Sequence, residues 1–393
     1  MDSVTVADNT EIIRRFKKVR ARTEELCSPL GVEDFIPQPA VFVSPAKWHI
    51  AHTTWFFEEF VLSKFKKGYT RFHKDFAFLF NSYYNSVGER LERDNRGLLT
   101  RPRLELVFDY RKSVDQEIVS LLQNTDRQEL INTIELGLQH EQQHQELLIT
   151  DLKYIFSQNP IYPTYHKDYY WEKIVEPSQP DVLIEEGVYN IGYEGKDFSF
   201  DNEHGKHKVY INPVEISGNL VSNQEFIEFI ESGGYDKSEF WLDEGWAFIQ
   251  ENSCKLPLYW KKEDGNYFQY TLNGLQEVNP KAVLMHINYF EAVAYANYKG
   301  HRLCTEFEWE VASEELNWGT VWEWTQSAYL PYPNYKKPAG AIGEYNGKFM
   351  VNQMVLRGAS VATAKGHSRN TYRNFFHPQY SWQVAGIRLA KEI

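Results

Sequence analysis

The sequence predicts an α plus α+β protein: a bundle of four main helices, then an irregular domain of short strands, short helices and much loop. Three observations carry this. Apolar residues recur with the helical period from Glu11 to about Phe156. Beyond Phe156 that period stops, and Pro, Gly, Asn and Tyr divide the chain into short pieces. The length of 393 residues exceeds what one ordinary core serves, so two domains or more are expected. The predicted boundaries are 1–160 for the helical domain, 161–180 for a linker and 181–393 for the second domain.

The first helix is "EIIRRFKKVRARTEEL", with Ile12, Ile13, Phe16 and Val19 on one face. The second includes "WFFEEFVLSKF". A third carries Val114, Ile118, Leu121 and Leu122 on one face, and the fourth is "LINTIELGLQHEQQHQELLITDLKYIF", with no internal Pro. Four such segments joined by loops make a bundle the simplest architecture. "SQNPIYPTYHKDYYWEKIVEPSQPD" has no period and reads as a linker or wrapping segment. Strands are expected in "GVYNIGY" and "HKVYINPVEIS", and short helices in "NQEFIEFIESG" and "NYFEAVAYANYKG".

Composition narrows the function classes. Apolar content of 42% and charged content of 24% are those of a globular protein. Aromatic content of 16%, with 11 Trp, 25 Tyr and 25 Phe, suits aromatic-walled pockets. A net charge of −12 without a compensating Lys/Arg run repels a phosphate backbone, so nucleic acid is not an expected partner. No stretch approaches the ~18 apolar residues of a membrane helix. The start, "MDSVTVADNTEIIRRF", lacks the order of a signal peptide. The expectation is a soluble cytoplasmic protein with no membrane partner. Cys27, Cys254 and Cys304 are unpaired in spacing, which points to neither a disulfide framework nor a thiolate cage. A metal must then rest on His and carboxylates.

"LQHEQQHQEL", residues 138–147, supplies such ligands, because His140 and His144 lie one above the other on a helix. Read as HExxH, it calls for Glu141 as general base on zinc and for a third ligand downstream. "HQELLITDLKYIF" stays helical without an HxxGxxH extension, and Glu172 falls in the linker. The other reading draws the third imidazole from "SPAKWHIAHTTWFFEEF", which carries His49 and His52 on another helix; facing helices of bundles are where inward metal sites form. Three neutral imidazoles on Fe(II) leave open positions and the metal's full positive charge. The common two-His-one-carboxylate set already contains an anion, so an all-His set favours an anionic ligand from the substrate.

"SPAKWHIAHTTWFFEEFVL", "FNSYYNSVGER", "RGLLTRPR" and "LGLQHEQQHQELLITDLKY" resemble the N-terminal DinB-like domain of the ergothioneine-biosynthesis iron(II) sulfoxide synthases. "DNEHGKHKVY", "VSNQEFIEFI", "GHRLCTEFEWEVA", "GTVWEWTQSAYLPYP", "VLRGAS" and "AGIRLA" are similar to the formylglycine-generating-enzyme-like, C-type-lectin-like second domain of those enzymes. The resemblance runs from about residue 11 to 390. It implies His52, His140 and His144 as iron ligands, with His49 outside the ligand set, and Gln143 as a contact of the histidine-derived substrate. It implies Tyr83 and Tyr84 as phenols that donate a proton or hydrogen atom so that the product is a sulfoxide rather than a sulfinic acid. A related subtype places that tyrosine in the second domain, where Tyr329 is the nearest analogue.

The same resemblance marks "TYRNFFHPQYSW", with Arg373, Asn374, Phe375 and Phe376, as substrate-facing; an aromatic wall suits a trimethylammonium group. Arg101 and Arg103 are candidates for the carboxylate of the thiol substrate. Cys304 stands where the fold has proline, Val361 where many relatives have cysteine, and Thr320 where they often have Asn. No cysteine pair is left for the copper-dependent oxidation of formylglycine-generating enzymes themselves. The implied activity is Fe(II)- and O2-dependent joining of cysteine or γ-glutamylcysteine to C2 of hercynine (trimethylhistidine) as a sulfoxide. The same chemistry on histidine or with a selenium donor, and a zinc hydrolase with an HExxH site, are the alternatives.

Overall fold

The computed structural model describes residues 9–84, 88–125, 127–176, 179–339, 343 and 345–393. The first eight residues, on which the absence of a signal peptide was argued, lie outside the described residues, as do 177 and 178 of the expected linker. The chain divides into two compact units, Met1–Ile161 and Tyr162–Ile393. Among the described residues no helix is long and apolar enough to cross a membrane.

The first unit is built on α1 (Thr10–Cys27), α2 (Ala46–Phe57), α3 (Leu104–Gln123) and α4 (Gln128–Ser157). α2 packs against α3 and α4, and α1 against α4. Every residue of α2 is buried, its polar Lys47, His49, His52, Thr53 and Thr54 included, which makes it the central rod of the bundle. It starts nine residues earlier than the "WFFEEF" run and continues as a π-helical turn, Glu58–Leu62. Glu58 is fully buried there and accepts hydrogen bonds from Tyr69 Oη (2.7 Å), Tyr110 Oη (2.7 Å) and the Phe72 amide (2.8 Å). Gly137 lets α4 approach α2: a Cβ added there would lie 2.5 Å from the Phe57 ring and 3.1 Å from that of Phe56. Those distances require a bare backbone.

One polar knot joins all four helices. Glu141 on α4 accepts from Arg20 Nη1 (2.8 Å) and Thr23 Oγ1 (2.6 Å) of α1, and from Arg111 Nη2 (2.6 Å) of α3. Arg20 also donates to Asp115 of α3 (2.7 Å) and Thr54 of α2 (3.0 Å). Buried charges persist where partners and hydrogen bonds compensate them, and here each group has several.

The second unit contains thirteen short strands among its described residues: β1 (Val182–Ile184), β2 (Gly187–Ile191), β3 (His207–Ile211), β4 (Val214–Ile216), β5 (Trp260–Glu263), β6 (Asn266–Thr271), β7 (Gly274–Glu277), β8 (Arg302–Leu303), β9 (Trp322–Ala328), β10 (Met354–Gly358), β11 (Asn374–Phe376), β12 (Ala385–Gly386) and β13 (Leu389–Glu392). They form sheets ordered β1-β4-β13-β8, β11-β10-β9-β12, β2-β3 and β5-β6-β7. The two expected short helices run over Asn223–Glu231 and Tyr289–Tyr298, each opened by a capping box, Ser222 with Glu225 and Asn288 with Glu291. The core joins β1, β3 and β4 to Cys304, Trp309, Ala312 and Leu316. Residues before β1 are tied in by Tyr165 N to Leu272 O (2.9 Å) and Val175 N to Lys281 O (2.9 Å).

Candidate metal centre

α2 and α4 bring three imidazoles to one point. His52, His140 and His144 each offer a ring nitrogen within 4.8 Å of the others. Nε2 of His52 and Nε2 of His140 are 3.2 Å apart, the separation that two nitrogens bound at about 2.0–2.1 Å to one ion subtend. His52 is stacked between its own helix neighbours, Trp48 at 4.5 Å and 11° and Trp55 at 5.4 Å and 17°. Phe56 packs on His140 with ring centroids 4.6 Å apart. The aromatic surplus of the sequence is thus partly spent walling this centre from water.

Burial, followed by the nearness of the other imidazoles, holds His52 and His144 well below the ordinary histidine range, and burial takes His140 down to about 3. All three are neutral at physiological pH and keep a lone pair for a metal. His52 Nδ1 donates to the Phe80 carbonyl at 2.6 Å, which places its lone pair on Nε2, the atom facing His140. Three neutral nitrogen donors fit a divalent first-row transition ion, iron among them.

Glu141 does not share this face. Burial pushes its carboxyl up, but the Arg111 and Arg20 guanidiniums and the Thr23 hydrogen bond outweigh that and hold it at about 2. A carboxylate so engaged has no affinity for a water proton near neutrality. The residue that the HExxH reading needs as base is a structural member of the interhelical knot.

The phenols of the first unit lie beside the same walls. Tyr84 is fully buried, 5.6 Å from the Trp55 ring and 5.1 Å from Phe60, and it stacks on Tyr83 at 4.6 Å. The two hydroxyls are 3.5 Å apart. Gln143 is half-buried on α4. Arg101 and Arg103 lie at the surface; Arg101 Nη1 donates weakly to Thr100 O (3.4 Å), and Arg103 is 3.9 Å from Glu105. Five residues before Arg101, Arg96 is buried and stacks on Trp48 with its guanidinium 3.4 Å from the ring centroid. It donates to Ser44 Oγ (2.9 Å) and Ser82 Oγ (3.2 Å), and no carboxylate is within ion-pair distance among the described residues. Sequence reasoning passed over Arg96, whose type and spacing do not set it apart from its neighbours.

In the second unit Arg373 is buried and commits its donors to Glu306 (2.7 and 2.9 Å), Asn202 O (2.9 Å) and Leu330 O (2.9 Å). That is a framework role in this structure. Asn374, Phe375 and Phe376 form β11 and are half-buried. Phe375 stacks on Tyr329 at 4.1 Å, and Phe376 meets Trp382 edge-on at 5.2 Å. Tyr329 is buried, accepts from Asn202 Nδ2 at 2.9 Å, and has its phenol pushed upward by burial. Cys304 is likewise buried in the apolar core with its thiol pushed up by burial.

Residues 171–316 and 317–393 match the model of the sulfatase-modifying factor enzyme 1-like domain. The chain belongs to this family. This member carries in addition a DinB superfamily match over residues 15–148, the segment that holds the three histidines. Among the family's curated relatives, the hercynine oxygenase of Mycolicibacterium smegmatis is 29% identical over 264 residues, 54% of this chain and 61% of the relative. The hercynine oxygenase of Mycolicibacterium thermoresistibile is 27% identical over 316 residues, 65% of this chain and 67% of the relative. A formylglycine-generating enzyme of Thermomonospora curvata is 28% identical over 148 residues, 34% of this chain and 48% of the relative. The chain thus spans about half to two-thirds of the length of these relatives.

Proposed function

We propose that this protein is a non-haem Fe(II), O2-dependent sulfoxide synthase. It joins the sulfur of cysteine or γ-glutamylcysteine to the imidazole C2 of hercynine, as in ergothioneine biosynthesis. The observation that carries the reading is the convergence of His52, His140 and His144, all neutral, on one point of a DinB-type bundle. The names of the hercynine oxygenase relatives support it. When bound, Fe(II) supplies the redox centre at which O2 and the thiol sulfur are activated. The balance is one thiol, one imidazole C–H and O2 giving one sulfoxide and one water, so the two substrates provide all four electrons and no external reductant is needed.

The chain's own part is to hold, exclude and protonate. The three imidazoles bring no negative charge, and Arg96 adds a buried cation nearby, so the centre favours an anionic sulfur ligand. Trp48, Trp55 and Phe56 exclude water from the histidines. Tyr84 and Tyr83 hold the proton needed at the nascent sulfoxide. Gln143, Arg101 and Arg103 are the proposed polar contacts of the substrates in the first unit. Within the second unit, Asn374 is a proposed polar ligand contact and Phe375 and Phe376 proposed aromatic ones, while Arg373, its donors committed to Glu306, Asn202 and Leu330, holds that segment in place. The substrates are small molecules.

The test is O2 uptake by metal-free protein reconstituted with Fe(II), with product mass read in parallel. Turnover requiring Fe(II), hercynine and thiol together is expected; turnover with Zn(II), or without O2, overturns the proposal. Histidine and a selenol run in place of hercynine and thiol decide between the three substrate pairings. Tyr84→Phe and Tyr83→Phe should shift product from sulfoxide toward oxidised thiol, by about a hundredfold in ratio for the residue that acts, since a positioned proton donor contributes about 10²–10⁴-fold. An unchanged ratio in both moves the role to Tyr329.

A further inference from the structure

We propose that His49 and Asp151 are positioning residues which form a two-step relay onto His144, placing its proton on Nδ1 and thereby setting the affinity of the centre for its metal. The proposal rests on the reading of His52, His140 and His144 as metal ligands. Asp151 Oδ2 lies 3.0 Å from His49 Nε2, and His49 Nδ1 lies 2.9 Å from His144 Nδ1. Only one arrangement of protons lets His144 bind metal through Nε2. Its proton must then sit on Nδ1, which makes His49 Nδ1 the acceptor. The proton of His49 is thereby on Nε2, where the Asp151 carboxylate accepts it. Each contact has one donor and one acceptor, and the chain ends on a group that only accepts when ionised.

Helix geometry builds the relay. Asp151 lies seven residues after His144, two turns along the same face of α4, and His49 lies one turn before His52 on α2. The carboxylate is itself held: the Ser44 amide donates to the same Oδ2 at 2.7 Å, and Arg96 Nη1 donates to Ser44 Oγ at 2.9 Å. All of these groups are buried, apart from the half-buried His144. The structure therefore supports its imidazoles in two ways, a backbone carbonyl behind His52 and the Asp151 carboxyl group, one imidazole removed, behind His144. Outer partners of this kind raise the basicity of the ligand they touch and fix its ring.

The experiment is a Co(II) titration of the metal-free full-length protein, with proton NMR of the cobalt-loaded form. In the wild type, three slowly exchanging, paramagnetically shifted N–H resonances are expected, from Nδ1 of His52, His140 and His144. His49→Phe should weaken Co(II) binding by about 10–100-fold and remove the His144 resonance while leaving those of His52 and His140. Asp151→Asn keeps an acceptor oxygen and loses only the charge, so its affinity should fall between the two. Wild-type affinity and all three resonances in the two variants, each with an unchanged circular dichroism spectrum, overturn the relay. If His49→Phe does not fold, Asp151→Asn alone decides, with wild-type affinity as the overturning result. Failure of the wild type to bind cobalt is a different outcome, since it removes the metal centre itself.

Discussion

Alanine at His140 is expected to abolish Fe(II) uptake and thiol-dependent O2 consumption together, with the four helices of the first unit still folded. His140 is one of three donors, and its Nε2 is 3.2 Å from that of His52. Two imidazoles without a carboxylate leave a divalent ion with too few fixed ligands to compete with water. Loss of the metal's contribution, several kcal/mol in the transition state, corresponds to at least about a thousandfold in rate. The ring is neutral and buried, so the truncation removes packing against Phe56 but strands no charge. His52→Ala and His144→Ala should behave alike. Metal analysis and an oxygen electrode read the result. A His140→Ala protein that retains stoichiometric iron and turnover would place the centre elsewhere.

Glu141→Gln, one residue along, is expected to do the opposite: a large loss of stability with the metal centre retained. The substitution leaves Arg20 and Arg111, both buried, without their shared anion, and breaking a buried pair from one side costs about 3–5 kcal/mol. Urea denaturation of wild type and variant measures it. The carboxyl sits at about 2 in the folded protein against 4.5 for the free group. A depressed carboxyl pKa contributes stability above the unfolded value and loses it as pH falls through the folded one. The wild-type advantage should thus be complete above about pH 4.5 and shrink from there toward pH 2. A zinc hydrolase would instead lose its general base in this variant, with hydrolysis abolished in a folded, metal-loaded protein. Retained sulfoxide formation per folded molecule separates the two readings.

Much of the architecture could be read from local pattern. The apolar period located α1, α3 and α4, and the change at Phe156 marked where helical grammar ends, because both are properties of neighbouring residues. α2 was placed by its histidine-bearing segment, with His49 and His52 near its start, rather than by an apolar period. Its twelve residues are buried on all sides, so no polar face alternates with an apolar one and no amphipathic signal arises. The arginines show the same limit. Arg96, Arg101 and Arg103 are alike in type and close in sequence, yet Arg96 is buried on Trp48 and the other two face solvent. Arg373 was read as a substrate contact because of its motif, whereas its burial against Glu306 depends on the residue before β11 meeting a side chain 67 positions earlier in the chain.

By itself the sequence determined that His140 and His144 would share one helix face, since four residues make slightly more than one helical turn wherever that helix is placed. It also placed Asp151 on the same stripe, two turns on, where an acidic residue inside "LLITDL" was the available signal of a buried polar contact. Tertiary structure alone decided what those side chains meet. The packing of α2 on α4 brought His52 to His140 and set His49 between His144 and Asp151, while α1 and α3 took Glu141 into an ion-pair knot. The reason is physical: a helix fixes the angle between its own residues, but which face is buried, and against which partner, follows from the packing of separate helices.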